Sequence, residues 1–292
     1  MSVDTLQEKI RKLKNPSMLQ FSAKRELIPS AYLNTEASFL TACARYGSEL
    51  LRGLKEIVPA VRFSIFSFSL LGCEGLDVLS DLTNLARQLG YYVVLDGPMS
   101  LTVEDAECTA QSLLNPQSKW PCDAVLISPY IGSDGIRPYL PYAKMSHKDI
   151  FVVVRTGNKS ASEIQDLLTG SRLVHMAAAD MVSRLGESYM GRCGYSFVGA
   201  VSCAGSPESL KVLRQQHPET FILIDGYDYS NANGKNCSYG FDQVGHGAVV
   251  CAGSSILAAW QRHGAEYLDP VEAAIEAAER MRKNILRYTT VF

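Results

Sequence analysis

A single (β/α)8 barrel of the TIM type, class α/β, is the fold this sequence predicts, on three observations. Short β-branched and aromatic runs recur along the whole 292 residues, and each is followed by a longer segment of helical period. There are eight such units in about 250 residues, which is the usual size of this barrel. No G-x-G-x-x-G or G-x-x-x-x-G-K-S/T motif is present, so the phosphate-gripping glycine loop of a doubly wound open sheet is missing.

The elements follow in order. Met18 to Ser22 reads as the first strand and Ser38 to Leu54 as the helix after it. Val61 to Phe66 is the second strand, with Gly75 to Leu89 helical, and Tyr91 to Asp96 is the third, with Glu104 to Leu114 helical. Ala124 to Ser128 is the fourth, and the run Arg137-Pro138-Tyr139-Leu140-Pro141-Tyr142 reads as a loop leading into a helix. Phe151 to Arg155 is the fifth strand, followed by helical stretches at Ala161 to Leu168 and Asp180 to Met190. Phe197 to Ser202, Phe221 to Asp225 and Gly247 to Cys251 complete the eight. Pro207 and Pro270 stand where a first helical turn tolerates proline, so Pro207 to Gln216 and Pro270 to Leu286 are helices. No composition shift marks a linker; residues 1–292 read as one domain, with a barrel core over about 15–260 and a C-terminal helix over about 270–287.

Composition removes several function classes. With 28 Lys plus Arg against 30 Asp plus Glu, the chain lacks the basic footprint of a general nucleic-acid binder. Its apolar runs fall far short of the roughly 20 residues a membrane-spanning helix requires. The N-terminal stretch has no apolar core of a secretory signal, which predicts a cytoplasmic protein. Eight dispersed cysteines without C-x-x-C or histidine partners predict reduced thiols and no metal.

In this fold, chemistry lies at the C-terminal ends of the strands. The segment Cys122-Asp123-Ala124-Val125-Leu126-Ile127-Ser128-Pro129-Tyr130-Ile131-Gly132-Ser133-Asp134-Gly135-Ile136-Arg137-Pro138 holds a P-Y-x-G-x-D-x-x-x-P core. It resembles the fourth-strand segment of the longer-chain bacterial orotidine 5'-monophosphate decarboxylases. The likeness continues in order through Val61-Arg62 to Leu71-Gly72-Cys73-Glu74-Gly75-Leu76, the loop Arg155-Thr156-Gly157-Asn158-Lys159-Ser160-Ala161, Val198-Gly199-Ala200-Val201 and Gly245-His246-Gly247-Ala248-Val249-Val250. The resemblance implies a cofactor-independent carboxy-lyase of UMP synthesis, with no cofactor needed. It also implies a homodimer whose active sites lie at the interface.

The family's chemistry uses an alternating Lys, Asp, Lys, Asp set, in which a carboxylate faces the substrate carboxylate and an ammonium protonates the carbanion. Its D-x-K-x-x-D motif falls here on Asp96-Gly97-Pro98-Met99-Ser100-Leu101, so Pro98 stands for the proton-donating lysine and Leu101 for the partner-donated aspartate. The preceding lysine matches Arg62, whose guanidinium cannot donate a proton near neutral pH. Asp96 alone of the four is unchanged. Ser22 and Ser69 replace acids that hold the substrate, and the phosphate arginine is Ser254. An arginine-phosphate contact contributes about 1.5–3 kcal/mol. Asp225 and Asp228 on the phosphate loop would each oppose a phosphate charge by roughly 3 kcal/mol at about 6 Å and an effective dielectric near 20.

Asp96 and Arg62 are therefore the family-equivalent catalytic positions, and they read equally as an inherited buried pair. Ser22, Ser64, Ser69, Pro98, Leu101, Ser128, Pro129, Tyr130, Thr156, Asn158, Asp225, Asp228, Ser230 and Ser254 are the cleft candidates. Asp225, Asp228 and His246 together have donor types suited to a cation, without a spacing signature. His147, His175, His217 and His263 fall away from strand ends and read as surface groups. Cys203 and Cys251 end strands but have no neighbour in sequence that lowers a thiol pKa.

The leading expectation is a divergent or inactive paralogue with a regulatory or scaffold role in pyrimidine synthesis, a homodimer or a hetero-oligomer with a standard decarboxylase. The first alternative is an enzyme with a cleft rebuilt around Arg62, Asp96, Asp225 and Asp228 for a small, unphosphorylated or cationic ligand. The second is an active decarboxylase that uses Lys24, Lys159 or Lys235 as its proton donor. An open polar pocket favours the rebuilt cleft, and plugging by Phe66, Met99, Leu101 and Tyr229 favours the scaffold.

Overall fold

The computed structural model describes residues 2–228, 232–262 and 269–291. The strands are β1 (Ser17–Phe21), β2 (Ala60–Ser64), β3 (Tyr92–Asp96), β4 (Ala124–Ile127), β5 (Asp149–Val153), β6 (Leu168–Thr169), β7 (Arg172–Leu173), β8 (Ser196–Cys203), β9 (Thr220–Asp225) and β10 (Ala248–Ala252). Eight of them close a barrel in the order β1-β10-β9-β8-β5-β4-β3-β2, and β6 and β7 form a separate hairpin. The barrel pairings are all parallel. The strands are buried almost throughout, as strands covered on both faces must be.

All eight expected strands are present, with ends shifted by one or two residues. Val61 to Phe66 is shorter than expected, because the chain turns into a one-turn helix over Ile65–Ser69 directly after Ser64. The helix expected over Ala161 to Leu168 does not form. A 3-10 turn spans Lys159–Glu163, and Leu168 then pairs with Leu173 across a tight turn in which Gly170 takes φ 65°. A two-residue turn with a positive φ favours a hairpin, and its local geometry outweighs weak helical periodicity. The helix expected at Asp180 to Met190 begins at Val174 and ends at Gly186.

The N-terminal segment, read from sequence only as a charged stretch, is a helix over Ser2–Leu13. Val3, Leu6 and Ile10 recur at helical spacing and are buried. Polar contacts tie it to the N-terminal end of the barrel: Asp4 accepts from the Cys193 amide at 2.8 Å, and Gln7 accepts from the Gly247 amide at 3.1 Å. Here the Asp149 carboxylate accepts from the Tyr92 hydroxyl, and burial pushes the Asp149 carboxyl well above the usual carboxylate range.

A carboxyl raised in the folded state stabilises the fold at low pH, and that contribution is lost as pH rises through the shifted value. Asp149→Asn is therefore expected to gain stability relative to wild type as pH increases. Urea unfolding at pH 5 and pH 8 checks this; an unchanged difference between the two proteins would refute it.

Candidate functional site

The site begins with register. Gln20 of β1 stands opposite Arg62 of β2, Arg62 opposite Val94 of β3, and Ser64 opposite Asp96. Because side chains alternate along a strand, Arg62 and Asp96 share one face, one layer apart. The guanidinium donates from Nε to Asp96 Oδ1 at 2.5 Å and from NH2 to Asp96 Oδ2 at 3.0 Å. From the other side of the barrel, Asp225 at the end of β9 accepts from Arg62 NH1 at 3.1 Å. One arginine thus bridges two carboxylates, with its side chain and that of Asp96 about nine-tenths buried.

Burial works against the Arg62 charge, but Asp96 and Asp225 outweigh it and hold the guanidinium firmly protonated. Burial pushes the Asp96 carboxyl up, opposed by the charge and hydrogen bonds of Arg62, while Asp225 adds a further push upward. The expectation of a buried Arg62–Asp96 pair is therefore met, and Asp225 extends it to a triad.

Above this triad lies a cavity of about 220 Å³, lined by Arg62, Asp225, Thr156, Asn158, Arg155 and Cys203 among others. Arg155 is held by Gln165 at 3.1 Å and Asp166 at 2.9 Å. Gln165 also accepts from the Thr156 amide at 2.9 Å and donates to Thr156 Oγ1 at 2.7 Å, fixing the loop after β5. Sequence reasoning missed Arg155 and Gln165; the signal available was their nearness to Thr156 and Asn158. No lysine lines this cavity among the described residues. Lys24, Lys159 and Lys235 are exposed.

Of the four side chains expected to plug the cavity, the three within the described residues do not line it. Phe66, on the one-turn helix after β2, is 50% exposed, and Met99 and Leu101, between β3 and the helix Val103–Leu114, are 59% and 73% exposed. Tyr229 lies outside the described residues, as do Ser230 and His263. Ser128, Pro129 and Tyr130 line a second, adjoining cavity together with Thr156. Ser22 is buried at the end of β1, and Ser64 is half-buried. Pro98 and Ser69 are exposed, and the Ser69 hydroxyl donates to the Phe66 carbonyl of its own short helix.

The trio Asp225, Asp228 and His246 is not brought together. Asp225 ends β9 and Asp228 follows it, whereas His246 precedes β10 at the opposite end of the barrel and donates its amide to Asp242 at 2.8 Å. Gly226, with φ 79°, turns the chain after Asp225 so that Asp228 reaches across to the loop after β10. Its carboxylate accepts from the Gly253 amide at 2.6 Å and the Ser255 amide at 3.0 Å, around the exposed Ser254. Loops at this position commonly bind phosphate in such barrels. Here the chain's own carboxylate takes both amides.

Two histidines expected at the surface are buried. His217 is held near Asp180 at 3.2 Å, and burial lowers its pKa. His175 is 2% exposed, because the helix Val174–Gly186 starts at the β6–β7 hairpin and packs against β8. Burial raises the thiols of Cys203 and Cys251, which disfavours a nucleophilic thiolate at either strand end. Among the described residues, no helix is long and apolar enough to cross a membrane.

No protein-family model matches the chain. An orotidine 5'-phosphate decarboxylase of Rhodopirellula baltica is 28% identical over 258 residues, covering 87% of this chain and 83% of the relative. One of Clostridium kluyveri is 27% identical over 289 residues, 98% of each chain. Among solved structures, Leishmania donovani OMP decarboxylase superposes with a TM-score of 0.71 at 24% identity over 97% of this chain and 98% of that one. The Plasmodium berghei orotidine 5'-monophosphate decarboxylase gives 0.78 at 12% identity over 98% of each. The barrel is thus shared, and the chain is homologous to these decarboxylases over most of its length.

Proposed function

We propose that this homologue of the orotidine 5'-phosphate decarboxylases has kept their barrel without their decarboxylation chemistry, and acts as a regulatory or scaffold homodimer linked to UMP synthesis. The observation that carries this reading is the Arg62 triad. Decarboxylation without a cofactor requires a donor that can deliver a proton to the carbanion. The guanidinium of Arg62 remains protonated and is tied to Asp96 and Asp225. Pro98 and Leu101 stand where the family motif has its lysine and second aspartate.

Asp228 supports the same reading from the phosphate end. A substrate phosphate would have to displace a carboxylate that already accepts from two amides. Support for the dimer comes from apolar side chains following four neighbouring strands. Leu70 is 86% exposed, Leu101 73%, Tyr130 79% and Leu168 73%, in the segments after β2, β3, β4 and β5, which are neighbours in the barrel.

One observation favours a second reading. The cavity over the triad carries Arg62, Arg155, Thr156, Asn158 and Asp225 in its wall, as a cleft rebuilt for a small unphosphorylated ligand would. At about 220 Å³ it is smaller than the roughly 300–1,000 Å³ of most ligand pockets.

The test is carbon dioxide release from orotidine 5'-monophosphate, with UMP and uridine titrated in parallel. The expected result is no turnover, and UMP binding no tighter than uridine. Asp228→Gly is expected to improve UMP affinity about tenfold or more while leaving uridine unchanged, since each charge-assisted hydrogen bond contributes about 1.5–3 kcal/mol. Turnover by the wild-type chain would overturn the reading.

A further inference from the structure

We propose that the chain has a second ligand site beside the barrel mouth, for a small neutral aromatic compound bearing an N–H donor, with His175 Nε2 as the acceptor. The site is a cavity of about 390 Å³ whose walls include Pro129, Tyr130, Val153, Ile164, Val174 and Ala178. No aspartate, glutamate, lysine or arginine is among its lining residues. A charged ligand would lose its hydration there without compensation. A flat apolar body would keep its contacts.

The polar groups in the wall are mostly engaged. Gln165 and Thr156 bond to each other and to Arg155 and Asn158. Ser128 Oγ accepts from the Tyr130 amide at 3.3 Å. His175 is the exception. Its Nδ1 lies 2.8 Å from the Gln165 carbonyl oxygen, which can only accept, so Nδ1 carries the proton. Asp166 Oδ1, 3.4 Å from the same nitrogen, favours that tautomer.

In the neutral ring Nε2 then presents a lone pair. None of the hydrogen bonds among the described residues uses Nε2, and it is not sealed inside the protein but belongs to a ring that lines the cavity. The side chain is only 3% exposed, so its orientation is fixed by packing. A fixed acceptor in an apolar cavity selects for a ligand that supplies the missing donor, because a ligand without one leaves the nitrogen desolvated and unpaired.

The site is distinct from the triad cavity, with which it shares Val153 and Thr156. His175 is not among the walls of the triad cavity, so indole binding here and turnover of orotidine 5'-monophosphate are read separately, and each proposal is refuted by its own measurement.

The experiment titrates the full chain with indole and with 1-methylindole, which differ only in the donor, while long-range proton–nitrogen NMR follows the His175 ring. Indole is expected to bind at millimolar concentration or tighter and to shift Nε2 more than Nδ1. 1-Methylindole is expected to bind about tenfold more weakly. His175→Leu should abolish the difference between the two probes. Because that variant also cuts the tie to Gln165, Ala178→Phe gives an independent check: it fills the cavity from the helix Val174–Gly186, leaves His175 in place, and should abolish binding. Equal affinities, no binding of indole up to its solubility limit, or binding unaffected by Ala178→Phe would each overturn the proposal.

Discussion

Arg62→Met is expected to cost about 3–5 kcal/mol of folding stability at neutral pH, the range found when one partner of a buried ion pair is removed. The variant leaves Asp96 buried without its bidentate partner and deprives Asp225 of its cation. Burial already pushes the Asp96 carboxyl up with Arg62 present, and loss of the arginine removes the opposing pull. The sign follows from linkage. A carboxyl raised in the folded state stabilises below its unfolded value and loses that contribution as pH rises through the folded one. Arg62→Met should therefore lie closest to wild type in acid and fall away toward neutrality.

Urea unfolding of both proteins from pH 4 to pH 8 measures this directly. A deficit that is constant across the range would mean that Arg62 acts through packing of its stem rather than through its charge. The double variant Arg62→Met with Asp96→Leu should recover much of the loss, since replacing both partners of a buried pair by apolar groups is often neutral or stabilising.

The second large effect concerns association. The Leu101→Lys and Tyr130→Lys double variant is expected to convert the proposed homodimer into a monomer at micromolar concentration. Burying each apolar side chain contributes roughly 1.5–3 kcal/mol, so losing two weakens association by about 10²–10⁴-fold. Both side chains are more than 70% exposed in the isolated chain, so their replacement should leave the unfolding transition of the protomer almost unchanged. Sedimentation equilibrium of wild type and variant decides the matter. A monomeric wild type, or a variant that stays dimeric, would sink the dimer.

The legible part of this protein is the part that repeats locally. Eight strands and the helices at Phe39–Leu54, Pro207–Gln216 and Pro270–Leu286 follow from runs of β-branched residues and from apolar spacing within one segment. That Pro98, Leu101 and Ser254 stand where the resembled family has lysine, aspartate and arginine rests on the resemblance, whereas their place after β3 and β10 follows from the strands. The hairpin Leu168–Leu173 is not legible in the sequence, because helical spacing over the eight residues leading into it is weak beside a glycine turn.

Sequence alone determined the barrel, the order of its units and which residue types stand at its strand ends. Only tertiary structure decided what the remaining polar groups do. Arg62 meets Asp96 across 34 residues and Asp225 across 163, and Asp228 meets Gly253 across 25, so neither the triad nor the filled amide pair has a local signature. His175 looked like a surface histidine because nothing beside it in the chain buries it; the hairpin and the loops after β4 and β5 do. Periodicity reports which way a side chain faces within its own segment, whereas a charge, a proton or a lone pair is set by groups that only closure of the barrel brings within a few ångströms.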